Sequence, residues 1–253
     1  MAFKLGKLPV DRTRDYIALS DHLDRATSWP PVPATGWEYA LPVSALSILG
    51  NDTVGDCVIA AMMHYAQTET ANTENPLTPT TALALQTYSA ITGYDPNDPS
   101  TDQGTTWAAA LTYWQAKGIP LLDAKGKEVI HKIIGSAALD LNSVAQIRYA
   151  CYTFGGTLMG IQCPASWEQN TANWNDPSGP VAGGHGIVRH GQGAAGWHVD
   201  SWAFIIPGTW TASQQVADED YIVVTPLWLN TQGKSPTGLD LNGLVAAMKG
   251  LSA

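Results

Sequence analysis

Asn51-Asp52-Thr53-Val54-Gly55-Asp56-Cys57-Val58-Ile59-Ala60-Ala61-Met62-Met63-His64-Tyr65 joins a polar, turn-forming segment to an alanine-rich run, and Cys57 stands at the junction. Alanine favours helix and Asp56 is placed as its N-cap, so the sequence predicts a helix from Cys57 to Thr70. A cysteine in a first helical turn meets unpaired N–H groups and the positive end of the helix dipole, which both favour thiolate. Taken alone, the same stretch also reads as a buried structural cysteine beside alanines.

Two segments far downstream give Cys57 its context. Gly183-Gly184-His185-Gly186-Ile187-Val188 places a histidine after two glycines, which permit close backbone approach. Trp197-His198-Val199-Asp200-Ser201-Trp202 follows a turn over Gly191-Gln192-Gly193-Ala194-Ala195-Gly196. If the two strands pair symmetrically about that turn, His185 lies opposite Trp202 and Ile187 opposite Asp200. His185, Asp200 and Trp202 then share one face, and a bulge reverses that parity. In this arrangement Asp200 accepts a proton-bearing ring nitrogen of His185 and Trp202 shields the bond from water. Cysteine at a helix start, histidine and acid are the parts of a thiol–imidazole catalytic site. The alternative is a strand-end aspartate and a core tryptophan. His64 lies two helical turns beyond Cys57, about 10 Å along the axis, too far for a direct base. Gly186, beside His185, is expected to leave room for a large apolar substrate side chain.

Helices are further predicted over Pro79–Ile91, Thr106–Lys117 and Ser143–Phe154. Strands are expected at Val129–Ile134, Gly156–Gln162, Ile187–Val188, Trp197–Trp202 and Tyr221–Val224. Trp29-Pro30-Pro31-Val32-Pro33 marks a break before an irregular lead-in, and Ser166–Pro180 reads as loop, with Trp167 and Trp174 as packing residues. Helices first and strands after indicate α+β rather than alternating α/β.

The 253 residues suit one large domain or one domain of two lobes, and 45% hydrophobic residues suffice for a full core. A net charge of −9 argues against nucleic-acid and anionic-membrane partners. Cys57, Cys151 and Cys163 make no disulfide framework; Cys151 and Cys163 read either as one bridge or as two buried thiols. No metal-ligand spacing or phosphate loop is present, so neither metal nor cofactor is expected. The N-terminus lacks a signal-peptide apolar run and no stretch reaches membrane-spanning length, so the chain is expected to be soluble, its compartment unassigned. Nothing in the sequence sets an oligomeric state.

These residues resemble the papain-like cysteine peptidases. Cys57 falls on the family nucleophile, Asn51 on the glutamine six residues before it, and His185 on the family histidine. Asp200-Ser201-Trp202-Ala203 stands in place of the usual Asn-Ser-Trp-Gly, so Asp200 takes the position of the orienting asparagine. Gln103-Gly104, Trp107 and Asp220-Tyr221-Ile222-Val223-Val224 extend the likeness, which spans roughly residues 37–229. The resemblance implies an α+β two-lobe fold with a cleft between a helical lobe (about 50–150) and an antiparallel-sheet-rich lobe (about 151–230). These lie in a domain over 29–253, behind an extension over 1–28. It implies a peptidase acting on peptide or protein substrates, with Cys57, His185 and Asp200 catalytic and Asn51 in the oxyanion site. The family's long inhibitory propeptide is not evident, and residues 1–28 are left a covering or structural role. The competing expectation is a catalytically silent binding or structural protein on the same fold.

Overall fold

In chain order the described elements are β1 (Trp37–Glu38), α1 (Cys57–Ala71), α2 (Thr81–Thr92), α3 (Trp107–Ala116), β2 (Ile119–Leu122), β3 (Glu128–His131), β4 (Gly135–Ala138), α4 (Val144–Phe154), β5 (Thr157–Pro164), β6 (Val181–Gln192), β7 (Gly196–Ser201), β8 (Phe204–Thr209), α5 (Trp210–Val216), β9 (Ala217–Val224) and α6 (Asn242–Gly250). They belong to a computed structural model that describes residues 3–13, 16–22, 31–39, 41–71, 73–193, 196–228, 233, 235 and 238–250. Trp29 and Pro30 of the expected break, residues 1, 2, 14, 15 and 23–28 of the expected extension, Ala194 and Ala195 of the expected turn, and Leu229 lie outside the described residues.

Hydroxyl caps start four of the helices. Thr80 accepts the Leu83 N–H, Thr106 the Ala109 N–H, Ser143 the Gln146 N–H and Thr209 the Ala212 N–H, each satisfying an amide that has no partner within the helix. Helix α1 differs, because every residue from Cys57 to Thr70 is buried. A helix apolar on all sides belongs inside a protein, and α1 packs against α2, α3 and β6. Among its polar side chains Gln67 donates to Ala45 O, and Glu69 meets His131 and Thr225.

The large sheet runs β4-β9-β5-β6-β7-β8, with β1 added on β6 and every pair antiparallel. One core joins α1 to the sheet through Met62, Tyr65, Trp114, Leu158, Val188 and Tyr221. A second, containing Trp167, Trp174, Trp197 and Ile206, fills the space beside β6, β7 and β8. Helices thus precede an antiparallel sheet in two lobes, the expected α+β architecture. The sheet draws in β4, and α4 packs on β5, β6 and β9, so sheet-lobe packing begins before residue 151. Among the described residues no helix is long and apolar enough to cross a membrane.

Register at β6–β7 decides the site. Gln192 pairs with Trp197 and Gly191 with His198, but Arg189 pairs with Val199 and Val188 with Asp200, the shift falling between Arg189 and Gly191. The next step puts Ser201, not Asp200, across from Ile187. Asp200 shares a face with Val188, toward α1, while Ser201 shares the face of Ile187 and His185. The symmetric pairing expected from sequence is therefore off by one, and a one-residue slip turns each side chain to the opposite face.

Candidate active site

Cys57 is the first residue of α1 and only 1% exposed. The Gly186 N–H donates to its Sγ at 3.4 Å. A Cβ on Gly186 would lie 2.9 Å from Val58 Cγ2, so glycine is what lets β6 come against the start of α1. Val58 occupies that space, and the substrate pocket expected at Gly186 is filled by the protein itself. Asp56 is buried, and its carboxyl oxygens accept no hydrogen bond from the first-turn amides, contrary to its expected capping role.

His185 meets Ser201: its Nε2 lies 2.7 Å from Ser201 Oγ. The other ring nitrogen, Nδ1, has no hydrogen-bond partner. His185, Cys57, Asn51, Ser201 and Trp202 line one small cavity with His64 and Asp200. Trp202 stacks on the His185 ring at 4.5 Å, and Trp174 meets the ring edge-on at 6.4 Å. Trp202 thus lies against the imidazole as expected, but the polar partner it covers is Ser201. Asp200 does not reach His185. Its Oδ2 lies 2.9 Å from His64 Nδ1, because the bulge turned it toward α1.

Burial controls the electrostatics. It pushes the Cys57 thiol up to about 11, against the opposing effect of the Gly186 and Gly6 N–H groups. It pushes His185 down to about 3. In this state the two groups are a neutral thiol and a neutral imidazole, not the thiolate expected from the helix position alone; desolvation outweighs the helix terminus. Burial also lifts the neighbouring Asp56 well above the usual carboxylate range. His64 moves the other way from His185: burial lowers it, but the Asp200 charge and hydrogen bonds to Asp200 and Ser47 more than offset this and raise it.

The chain's own N-terminal strap adds to the cover of Cys57, whose sulfur meets the Gly6 N–H. Residues 3–8 run between the lobes. Thr105 N–H donates to Gly6 O and Leu8 N–H to Thr105 O on the helical side, while Lys7 N–H donates to Gly184 O on the sheet side. A Cβ on Gly6 would sit 1.8 Å from Gly55 O, and one on Gly184 would sit 2.1 Å from Lys7 O, so both contacts require glycine. Phe3 stacks on the far face of Trp202 at 4.5 Å. The two glycines before His185 therefore do permit close approach, of this strap. Asn51 donates through Nδ2 to Lys4 O at 3.2 Å and to Val54 O at 3.1 Å, so its amide holds a carbonyl of the strap.

The remaining cysteines are free buried thiols: Cys151 donates to Arg189 O and Cys163 lies against Pro164 O. Ser201 and the Asp200–His64 pair were not foreseen as parts of the site, although Ser201 left a trace as the middle of Asp200-Ser201-Trp202. Residues 3–8 belong to the extension left a covering or structural role, but their contacts at Asn51, Gly55, Thr105 and Gly184 were not foreseen.

No family model matches the sequence and no curated protein matches it. Solved structures do. Xylellain, a cysteine protease from Xylella fastidiosa, superposes with a TM-score of 0.65 at 13% identity, over 88% of this chain and 97% of that one. Procathepsin B S9 from Trypanosoma congolense gives 0.61 at 10%, over 88% and 86%. Bromelain protease from Ananas comosus gives 0.55 at 16%, over 77% and 100%. The chain has the papain-like two-lobe α+β fold.

Proposed function

We propose that the protein is a cysteine peptidase in a closed state, with Cys57 as nucleophile and His185 as base. The observation that carries this reading is the strap: residues 3–8 pass Cys57, whose sulfur meets the Gly6 N–H, and are held by backbone hydrogen bonds from both walls. A groove that holds one polypeptide strand in this way has the form a peptide substrate needs.

With the strap displaced and water admitted, the burial that keeps Cys57 and His185 neutral is relieved. The Cys57 thiol proton passes to His185 Nδ1, the ring nitrogen left without a partner. The sulfur attacks the peptide carbonyl, and the oxyanion meets the Cys57 N–H and the Asn51 amide. His185 returns the proton to the leaving amine. Water, activated by the same imidazole, then hydrolyses the thioester. Ser201 Oγ holds Nε2 throughout and fixes the ring's tautomer and angle. Asp200 holds His64 rather than His185.

The second reading, a silent binding protein, is favoured by one observation, the neutral and buried Cys57 and His185. Reduced protein treated with an irreversible thiol-directed peptidyl inhibitor separates the two. A peptidase is labelled at Cys57 and loses labelling in Cys57→Ala at an intact fold. A binding protein shows slow alkylation typical of an ordinary thiol and no turnover of peptide pools.

A further inference from the structure

The strap that covers Cys57 carries a lysine into a pocket of its own. Lys7 has a fully buried side chain, and its Nζ lies 3.0 Å from Asp218 Oδ2, 3.0 Å from Glu219 Oε1 and 3.1 Å from Leu8 O. An ammonium has three protons, and three oxygens surround it. Both acids are held from behind: Gln162 Nε2 donates to Asp218 Oδ2 and the Tyr221 hydroxyl donates to Glu219 Oε2. The channel exists because position 160 has no side chain, since a Cβ there would lie 2.3 Å from Lys7 Cε. The backbone at Lys7 is in turn fixed to Gly184, immediately before His185.

We propose that the Asp218–Glu219 pocket is a specificity site of the cleft, and that the peptide ligand displacing the strap presents a lysine side chain to it. Two carboxyl groups facing one ammonium favour a cation in the pocket, and without one the buried Glu219 and the partly buried Asp218 lose the charge that offsets their desolvation. An apolar side chain in the same channel leaves them in that condition, so the pocket discriminates by charge rather than by size. This assignment rests on the peptidase reading for its consequence in catalysis, but binding at the pocket does not.

The test uses the full chain with Gly6→Ala to wedge the strap out, in a Cys57→Ala background so that binding is read without chemistry. A labelled synthetic peptide matching residues 1–10 is titrated by fluorescence anisotropy beside the same peptide with Lys7→Leu. The lysine peptide is expected to bind at least tenfold more tightly, and the gap is expected to close in Asp218→Asn/Glu219→Gln. Equal affinities, a gap that survives removal of both carboxyl charges, or no binding of either peptide to a folded variant would overturn the proposal. The same comparison in full-length Lys7→Ala covers the case in which Gly6→Ala does not fold. With Cys57 restored, cleavage of a peptide library without preference for lysine overturns the pocket's role in substrate choice. Absence of all cleavage, with the binding gap intact, counts instead against the peptidase reading.

Discussion

His64 bridges the two lobes: its Nδ1 lies 2.9 Å from Asp200 Oδ2 on β7, and its Nε2 lies 2.9 Å from Ser47 O. Both ring nitrogens face acceptors, an arrangement that suits the imidazolium. The pair ties the helix that starts at Cys57 to the strand that ends at Ser201.

Breaking this pair should cost stability and alter its pH dependence. Asp200→Ala removes one partner of a buried charge pair, a loss of about 3–5 kcal/mol. The His64 pKa is raised by Asp200 and the hydrogen bonds against the lowering effect of burial. Its stabilising contribution is therefore full below the unfolded histidine pKa of about 6.5 and is lost as pH rises through the raised folded value. Urea midpoints from acid to alkaline pH should fall over that window in the wild type, and the difference from Asp200→Ala should shrink as they do. A constant difference across the range would remove the charge pair from the explanation.

Ser201→Ala should act on chemistry rather than folding. It removes the Oγ that lies 2.7 Å from His185 Nε2. One hydrogen bond of about 0.5–1.5 kcal/mol corresponds to a loss of about 3–10-fold in kcat, with KM little changed. Steady-state kinetics on a strap-displaced background checks this. A rise in KM with kcat unchanged would mean that Ser201 contacts substrate instead of orienting the ring.

Asp56→Asn should stabilise the protein near neutral pH. Burial lifts the Asp56 pKa well above its ordinary value, so folding near neutrality works against the charged unfolded carboxylate. That penalty is absent below the unfolded aspartate pKa of about 3.9 and grows as pH rises above it. The melting temperature of Asp56→Asn should exceed that of wild type at pH 7 and converge with it in acid. A lower melting temperature at pH 7 would indicate a hydrogen-bonded, charged Asp56.

The tight turn after Asp200 carries strain. Trp202 and Ala203 have φ of 53° and 65° between the paired residues Ser201 and Phe204. Left-handed backbone costs an L-residue about 1–2 kcal/mol, and glycine returns about 0.4–1 kcal/mol of unfolded-state entropy to the other side. Ala203→Gly is expected to gain about 0.5–1 kcal/mol, a rise of about 1–4 °C in Tm. A fall in Tm by calorimetry would place the strain elsewhere.

Much of this was legible in the chain, for reasons that differ by residue. Cys57 and α1 could be read because a polar turn meets an alanine-rich run, a local signal. The α+β order could be read because the strand-forming segments cluster after residue 156. The Asp200–Ser201 exchange could not, since it hangs on a bulge between Arg189 and Gly191 that no residue type announces. Strand β8 was hidden because the Trp202–Ala203 turn lacks the Asn-Gly or Gly signal of a two-residue hairpin. The strap was hidden because its hydrogen bonds reach Asn51, Thr105 and Gly184, far away in sequence.

In the proposed reading Cys57 is a peptidase nucleophile silenced by residues 3–8. The most direct measurement is the rate of Cys57 labelling by a thiol-directed peptidyl inhibitor, located by peptide mass mapping, from about pH 4 to 9 in wild type and Gly6→Ala. Wild-type Cys57, pushed up to about 11 by burial, should label slowly throughout. Gly6→Ala should label stoichiometrically at Cys57 with an apparent pKa well below the free-cysteine value of about 8.5, and His185→Ala should abolish that acceleration. Labelling of strap-displaced Cys57 at the rate and pH of an ordinary thiol, unchanged by His185→Ala, would contradict the account.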